Sequence, residues 1–383
     1  MLPELTPQEI LRYSRHLMMP EVGTIGQRKL KAASILIIGA GGLGSPAALY
    51  LAAAGVGRIG LVDFDVVSQS NLQRQVLFAE DQVGRRKVEE ARKRLLSLNS
   101  DIQVDAYPIV LSSENALELA KQYDFIVDGA DNYATRYLVN DVSVLLEKPY
   151  VYGAIYRFDG QVGVFDARHG ACYRCLFPHP PAPEFSPTCA EGGVFGVLPG
   201  MVGTIQAAEA IKLITGIGEP AINRLLMVDA LNFRFEVIQL RKNPACEICG
   251  PNAKIHELVD YAEFCGAPLP GHEEKIDRGM EISARELSDL LRVDKHLKLI
   301  DVRNEVETQI SSITGARLIP YDEIASHLDE FGRDERIILY CRTGTRSLWA
   351  LKIMREAGFQ NARHLAGGIN AWAREIDPDL RQY

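Results

Sequence analysis

The sequence predicts an α/β fold in which a doubly wound domain is followed by a smaller α/β domain, and three observations carry the prediction. Short β-branched apolar runs alternate with helix-forming stretches. A glycine cluster stands between the first such run and the helix after it. The chain has 383 residues, more than one core of ordinary size uses.

The elements follow in order. Residues 6–17 place apolar side chains at helical spacing, with Arg12 and Arg15 on the polar side, and a short helix is expected. Residues 33–39, ASILIIG, read as a strand that stops at glycine, and residues 46–54 as a helix of small side chains. The strand over 58–63 completes a βαβ unit, the building block of parallel sheets. A helix over 86–98 and strands over 103–109, 125–128 and 150–154 extend it. Residues 251–278 lose periodicity around Gly266, Pro268, Pro270 and Gly271 and read as a linker between a first domain, 1–250, and a second, 279–383. The period then resumes, with a helix near 284–291, strands at 298–302 and 336–340, and a helix over 347–357.

Composition narrows the function. A net charge of -8, with 47% hydrophobic and 24% charged residues, offers no basic surface for nucleic acid. No run of about 18 apolar residues is present and the first residues are charged early, so neither a membrane span nor a signal peptide is expected. A cytoplasmic enzyme is the expectation. Seven cysteines are too sparse for a disulfide scaffold.

Gly39, Gly41, Gly42 and Gly44 form G-A-G-G-L-G, the G-x-G-x-x-G spacing of a Rossmann-like turn. Glycines there admit a phosphate close to the backbone, and the helix N-terminus adds oriented N–H donors. Asp63, at the end of the next strand, suits a ribose. Taken alone, this pattern fits a nicotinamide or flavin oxidoreductase. The stretch after it, Asp63-Phe-Asp-Val-Val-Ser-Gln-Ser-Asn-Leu-Gln-Arg-Gln, together with Lys87 and Asp128-Gly-Ala-Asp131-Asn132, changes the balance. Over residues 5–250 the chain resembles the adenylating enzymes of the MoeB/ThiF family, relatives of the ubiquitin-activating enzymes.

That resemblance implies ATP and Mg2+ as cofactors. A carboxylate attacking an α-phosphate builds an anionic transition state, which needs converging cations and a carboxylate-held magnesium. Arg15, Arg74 and Lys87 are implied as phosphate contacts, Asp63 as the ribose contact and Asp131 as the magnesium ligand, with Arg74 and Asp131 catalytic. Ser70, Asn71, Leu72, Gln73 and Asn132 are expected to line the same pocket, and Arg15 to reach across a homodimer into the partner's site.

Cys172-Tyr-Arg-Cys175 and Cys246-Glu-Ile-Cys249 are two C-x-x-C pairs whose four thiolates can close a tetrahedral Zn2+ site, structural because no coordination position stays open. Cys189 stands on a Gly/Pro-rich segment, and the family's matching cysteine can form a thioester or an acyl disulfide. Cys265 reads as a thiol without a role. Cys341-Arg-Thr-Gly-Thr-Arg346-Ser347 joins a strand to a helix, where backbone N–H groups stabilise a thiolate or persulfide. The loop is one residue shorter than the C-x-x-x-x-x-R loop of cysteine phosphatases. With Asp301-Val-Arg303, Gly315-Ala316, Ile319-Pro320 and Leu365-Ala-Gly367-Gly368-Ile-Asn-Ala-Trp372, residues 279–380 resemble a rhodanese domain. Serines stand in Gln309-Ile-Ser-Ser-Ile-Thr-Gly-Ala where such domains often carry a histidine.

Together the halves resemble fused enzymes that adenylate the C-terminal glycine of a ubiquitin-like sulfur carrier of the MoaD/ThiS type, ending in Gly-Gly. A persulfide on Cys341 would then displace AMP to give a thiocarboxylate. The sulfur donor implied is a cysteine desulfurase or thiosulfate, and the pathway stays open among molybdenum cofactor biosynthesis, thiamine biosynthesis, cysteine biosynthesis and tRNA thiolation. Three alternatives stay open: conjugation through a Cys189 thioester, a non-catalytic scaffold, and a nicotinamide dehydrogenase.

Overall fold

A computed structural model describes residues 1–181, 192–265 and 279–382. The chain divides into two compact units, one up to Gly271 and one from His272.

The first unit is built on one mixed sheet. Its strands are β1 (Ser34–Ile38), β2 (Arg58–Val62), β3 (Gln103–Tyr107), β4 (Phe125–Asp128), β5 (Tyr150–Tyr156), β6 (Asp159–Phe165), β7 (Arg224–Asp229) and β8 (Arg234–Gln239), in the order β3-β2-β1-β4-β5-β6-β7-β8. The first five are parallel, and β6, β7 and β8 continue antiparallel. Four of the five residues of β1 and of β2 are buried, as a sheet covered on both faces requires. In register, Ile38 pairs with Val62 on one side and Asp128 on the other. Gly39, Asp63 and Gly129 therefore leave the sheet side by side, where the strand order reverses and a parallel sheet opens a crevice.

The helix Gly44–Ala54 starts hard against that crevice. A Cβ on Gly44 would stand 1.8 Å from the Gly39 carbonyl oxygen, and Gly39 holds φ +88°, so both positions require glycine. Across this helix lies the 18-residue helix Leu198–Thr215, where a Cβ on Gly203 would come within 2.4 Å of the Leu43 carbonyl.

Three sequence expectations need correction. The single helix over 6–17 is two, Pro7–Arg12 and Ser14–Leu17, because the chain breaks at Tyr13 to bury that ring. Asn99 Nδ2 donates to the Tyr13 hydroxyl at 2.9 Å. Second, β6 to β8 and the helix Leu198–Thr215 lie in glycine-rich or unpatterned sequence and had no sequence-level signal. Third, residues 251–265, read as linker, pack on the first unit. Their helix Tyr261–Cys265 buries both named ends, and the Tyr261 hydroxyl donates to Asp141 Oδ2 at 2.7 Å. Burial pushes the Cys265 thiol up to about 11, so it is inert near neutrality.

The second unit has a five-stranded parallel sheet of β9 (Glu281–Ile282), β10 (Lys298–Asp301), β11 (Arg317–Leu318), β12 (Ile337–Tyr340) and β13 (Ala362–Leu365), in the order β11-β10-β12-β13-β9. Successive residues alternate between two cores. Ile300, Ile337 and Leu339 meet Ala350, Leu351 and Met354 of the helix Thr345–Glu356. Leu299, Ile338 and Tyr340 meet Leu287, Ile369 and Trp372 of the helices Ala284–Val293 and Gly368–Glu375.

Candidate functional site

The crevice beyond β1 and β4 is a cleft lined by Gly39, Gly41, Gly42, Asp63, Arg74, Lys87, Asp131 and Asn132, together with Asp65, Gln75 and Arg136. Eight of the residues expected from sequence thus meet at one place. Asp63 is clamped by its own loop: Ala40 N–H donates to Oδ2 and Asp65 N–H to Oδ1, each at 2.9 Å. Burial pushes its carboxyl above the usual range, against the pull of Lys87 and the two N–H groups. Lys87 is buried, and its Nζ sits 2.9 Å from Asp65 Oδ2, so its cation points over the cleft while held by a carboxylate.

Arg74 is delivered by a turn. Its backbone N–H donates to Asn71 C=O at 3.0 Å, and its Nη1 donates to Ser70 C=O, also at 3.0 Å. Contrary to expectation, Ser70, Asn71, Leu72 and Gln73 do not line the cleft themselves. Leu72 packs into the core below, and the Ser70 hydroxyl bonds that of Ser68. Gly44 sits behind the lining as the seat of the helix. Asn132 caps the helix Tyr133–Leu145 by accepting from Thr135 N–H at 2.9 Å, and it leaves the exposed Asp131 at the lip.

Two functional candidates escaped the sequence. Arg136, one turn after the Asn132 cap, is buried with its guanidinium over the rings of Tyr133 and Tyr152 at 5.3 and 5.9 Å. Its Nη2 donates to Ala130 C=O at 3.3 Å. Beside it lies Asp128, fully buried, whose Oδ1 accepts from Ala130 N–H at 2.9 Å while Oδ2 finds no partner among the described residues. Burial pushes its carboxyl to about 6, opposed by Arg136. Asp128 opens the Asp128-Gly-Ala-Asp131-Asn132 motif but was given no role there, and the only sequence signal for Arg136 is its place four residues past the Asn132 cap.

Arg74, Lys87, Arg136 and the helix N-terminus at Gly44 surround a space suited to a polyphosphate, with Asp63 placed for a ribose. The donor set fits magnesium, a hard cation commonly held by one or two carboxylates plus substrate phosphates, with Asp131 as the carboxylate. Arg15 is not in this cleft. It is exposed, in a groove with Arg12, His16, Tyr50, Thr204 and Ile211.

The four knuckle cysteines converge. Their Sγ atoms lie within 4.8 Å of one another, with Cys172–Cys175 at 3.8, Cys172–Cys246 at 3.6 and Cys175–Cys249 at 3.4 Å. A disulfide needs about 2.05 Å. A tetrahedron with Zn–S near 2.3 Å has edges of about 3.8 Å, so the set fits zinc. Arg174, between the first two cysteines, forms a buried two-pronged pair with Asp141, both contacts 2.8 Å, which ties the knuckle to the helix that begins at the cleft.

In the second unit Cys341 ends β12 and is 1% exposed. Gly344 N–H points at its Sγ from 3.1 Å, made possible by φ +109° at that glycine. Ser347 Oγ stands 3.6 Å from the same sulfur. Arg346 turns away, paired with Glu307 at 2.7 and 2.6 Å. The serines at 311 and 312 are tolerated because their segment works through backbone: Arg303 Nη2 donates to Ser311 C=O at 2.8 Å, and Ile313 N–H to the Tyr340 hydroxyl at 3.2 Å. Arg303 is itself clamped on Asp301. Cys189 lies outside the described residues.

Known proteins share both halves. Residues 13–248 match the model of the ThiF family, and residues 283–375 that of the rhodanese-like domain. A protein of Mycobacterium tuberculosis named probable adenylyltransferase/sulfurtransferase MoeZ is 50% identical across 99% of this chain and 96% of its own length. A sulfur carrier protein adenylyltransferase of Thermus thermophilus is 54% identical over 68% of this chain and 98% of its own. Among solved structures, E. coli MccB with MccA-N7isoASN superposes with a TM-score of 0.57 at 26% identity, covering 63% of this chain and 74% of that one. The chain therefore belongs to the ThiF family, with a rhodanese-like domain following it.

Proposed function

We propose that the chain adenylates the C-terminal carboxylate of a ubiquitin-like sulfur carrier ending in Gly-Gly and then transfers sulfur to it from Cys341. The observation that carries this reading is the coexistence in one chain of a polyphosphate cleft and a sulfur cradled by a backbone N–H. In the cleft, Asp63 fixes the ribose, while Arg74, Lys87 and Arg136 draw charge from the triphosphate as the carrier's carboxylate attacks the α-phosphorus and pyrophosphate leaves. Asp131 would hold a magnesium ion, which would supply positive charge against the leaving pyrophosphate. At the loop, the terminal sulfur of a Cys341 persulfide attacks the acyl carbon and AMP departs. Two equivalents of an external thiol, oxidised together to a disulfide, then part the acyl disulfide into thiocarboxylate and the free Cys341 thiol. Tethering both sites raises the local concentration of sulfur over that of water-exposed adenylate loss.

The same reading places zinc on Cys172, Cys175, Cys246 and Cys249 as a structural ion, and thiosulfate or a cysteine desulfurase as the source of sulfur. It also makes the active form a homodimer. Leu11, Met18 and Ile25, 78%, 73% and 66% exposed on the N-terminal elements that carry Arg15, support a second copy there. No helix among the described residues is long and apolar enough to cross a membrane, and the reading places the protein in the cytoplasm.

Mass spectrometry of a Gly-Gly carrier incubated with the chain, magnesium-ATP and thiosulfate tests this. A gain of about 16 Da, absent with Cys341→Ala and with Asp131→Ala, is expected for oxygen replaced by sulfur. No mass change with any carrier and no AMP would reject it.

A further inference from the structure

Residues 251–265 do more than lead from one unit to the next. Tyr261 and Cys265 are 4% and 6% exposed, and with Leu258 and Phe264 they share a core with Tyr137 and Leu138 of the helix Tyr133–Leu145. They sit on a buried charged pair that the reaction above does not use. Arg174 bonds Asp141 through two contacts of 2.8 Å, the Tyr261 hydroxyl donates to Asp141 Oδ2 at 2.7 Å, and the Phe264 ring lies over the Arg174 guanidinium, 4.6 Å from centroid to carbon. Phe264 also meets Tyr137 edge to face at 5.2 Å. A buried ion pair is held by the further hydrogen bonds its groups find, so the seat and the segment on it stabilise each other.

Both halves of the seat belong to elements already described. Arg174 stands between Cys172 and Cys175, and Asp141 follows Asn132, at the lip of the cleft, by nine residues along one helix, about 14 Å of rise. From Cys265 the 13 residues 266–278 lead to Gly279, and that many residues can span up to about 45 Å. This reach exceeds the rise from seat to lip and the radius of gyration of a 100-residue unit, about 13 Å, taken together. With the seat empty, the next fixed backbone is Lys254 and Ile255, whose N–H groups donate to Glu247 C=O at 2.7 and 2.9 Å. The tether would then grow to the 23 residues 256–278.

We propose that Tyr261–Cys265 is an anchor for the sulfur-bearing unit: held on Arg174 and Asp141, it starts the tether near the cleft and keeps it short, which raises the frequency at which the Cys341 persulfide meets the carrier adenylate. Tyr261 and Phe264 are positioning residues that act through tether length. For a tether already longer than the distance it must span, effective concentration falls with about the −3/2 power of length, so growth from 13 to 23 residues lowers it about twofold.

The inference deepens the sulfur-transfer reading and rests on it, so the anchor and its use are tested separately in the full chain. Alkylation of Cys265 by N-ethylmaleimide, followed by peptide mass spectrometry, reads how often the segment lifts, since a buried thiol reacts only when it does. Tyr261→Phe is expected to label about tenfold faster than the wild type, the loss of one hydrogen bond to a charged group. Tyr261→Asp sets a second carboxylate against Asp141 and is expected to label as fast as the denatured chain. Single-turnover conversion of the carrier adenylate to thiocarboxylate should fall about twofold in Tyr261→Asp, with ATP–pyrophosphate exchange and thiosulfate turnover unchanged. An insertion of about ten Gly/Ser residues after Gly271 lengthens the tether while the anchor stays closed, and should give the same fall with Cys265 labelling at the wild-type rate. Cys265 labelling in the wild type as fast as in Tyr261→Asp overturns the proposal, as does an unchanged transfer rate in the insertion variant, which also decides if Tyr261→Asp fails to fold. A wild type that protects Cys265 but forms no thiocarboxylate overturns the sulfur-transfer reading and with it the role given to the anchor, although the anchor itself stands.

Discussion

The nucleotide cleft and the cysteine loop both handle anions, by opposite means. In the cleft the tools are side-chain cations, and Lys87 is held by Asp65 and faces Asp63. In the loop the one buried cation, Arg346, is locked on Glu307, and the sulfur faces a backbone N–H instead. The difference follows from the ligand. A triphosphate brings several charges, so several converging full cations suit it. A persulfide brings one charge that stays covalently attached, and fixed dipoles hold it without attracting phosphates.

The comparison can be broken most sharply at the sulfur. Cys341→Ser is expected to lower sulfur transfer from thiosulfate by at least about 10³-fold while ATP–pyrophosphate exchange with the carrier persists. The reverse pattern is expected of Lys87→Ala, with pyrophosphate exchange falling by about 10²-fold and thiosulfate turnover unchanged. A loss of both activities in either variant would mean that the two sites are not separable.

Stability sharpens the contrast further. Glu307→Gln removes the carboxylate charge that faces the buried Arg346 guanidinium, and guanidinium chloride denaturation should show a loss of about 3 kcal/mol in the second unit. Asp128→Asn gives an effect of similar size and the opposite sign. Asp128 titrates near 6 in the fold against an ordinary 3.8, so the folded form holds its proton longer. Its contribution is complete below the ordinary value and is lost as pH rises through the folded one, by about 3 kcal/mol. The asparagine variant should therefore show a flatter stability profile between about pH 4 and pH 6 than the wild type.

Most of the cleft was legible because its parts are local. A glycine turn, the carboxylate on the next strand and a repeated C-x-x-C pair can each be read within a few residues. The antiparallel half of the sheet was not read: β6 is interrupted by Gly160 and Gly163, and β8 is a single short run, Arg234–Gln239, exposed along its whole length. Arg136 had no reading from the sequence, because its burial depends on Tyr152, which β5 brings from elsewhere in the chain. Ser70 to Gln73 show the converse: the family resemblance implied that they line the pocket, and the cleft lining takes Arg74 from that turn.

The most direct test of the division of labour is where each variant stalls. The carrier's mass is followed after magnesium-ATP and then thiosulfate are added to wild type, Lys87→Ala and Cys341→Ser. The wild type should pass from the AMP adduct to the thiocarboxylate, Lys87→Ala should leave the carrier unmodified, and Cys341→Ser should stop at the AMP adduct. Thiocarboxylate formed by Cys341→Ser, or an adenylate formed at full rate by Lys87→Ala, would contradict the account.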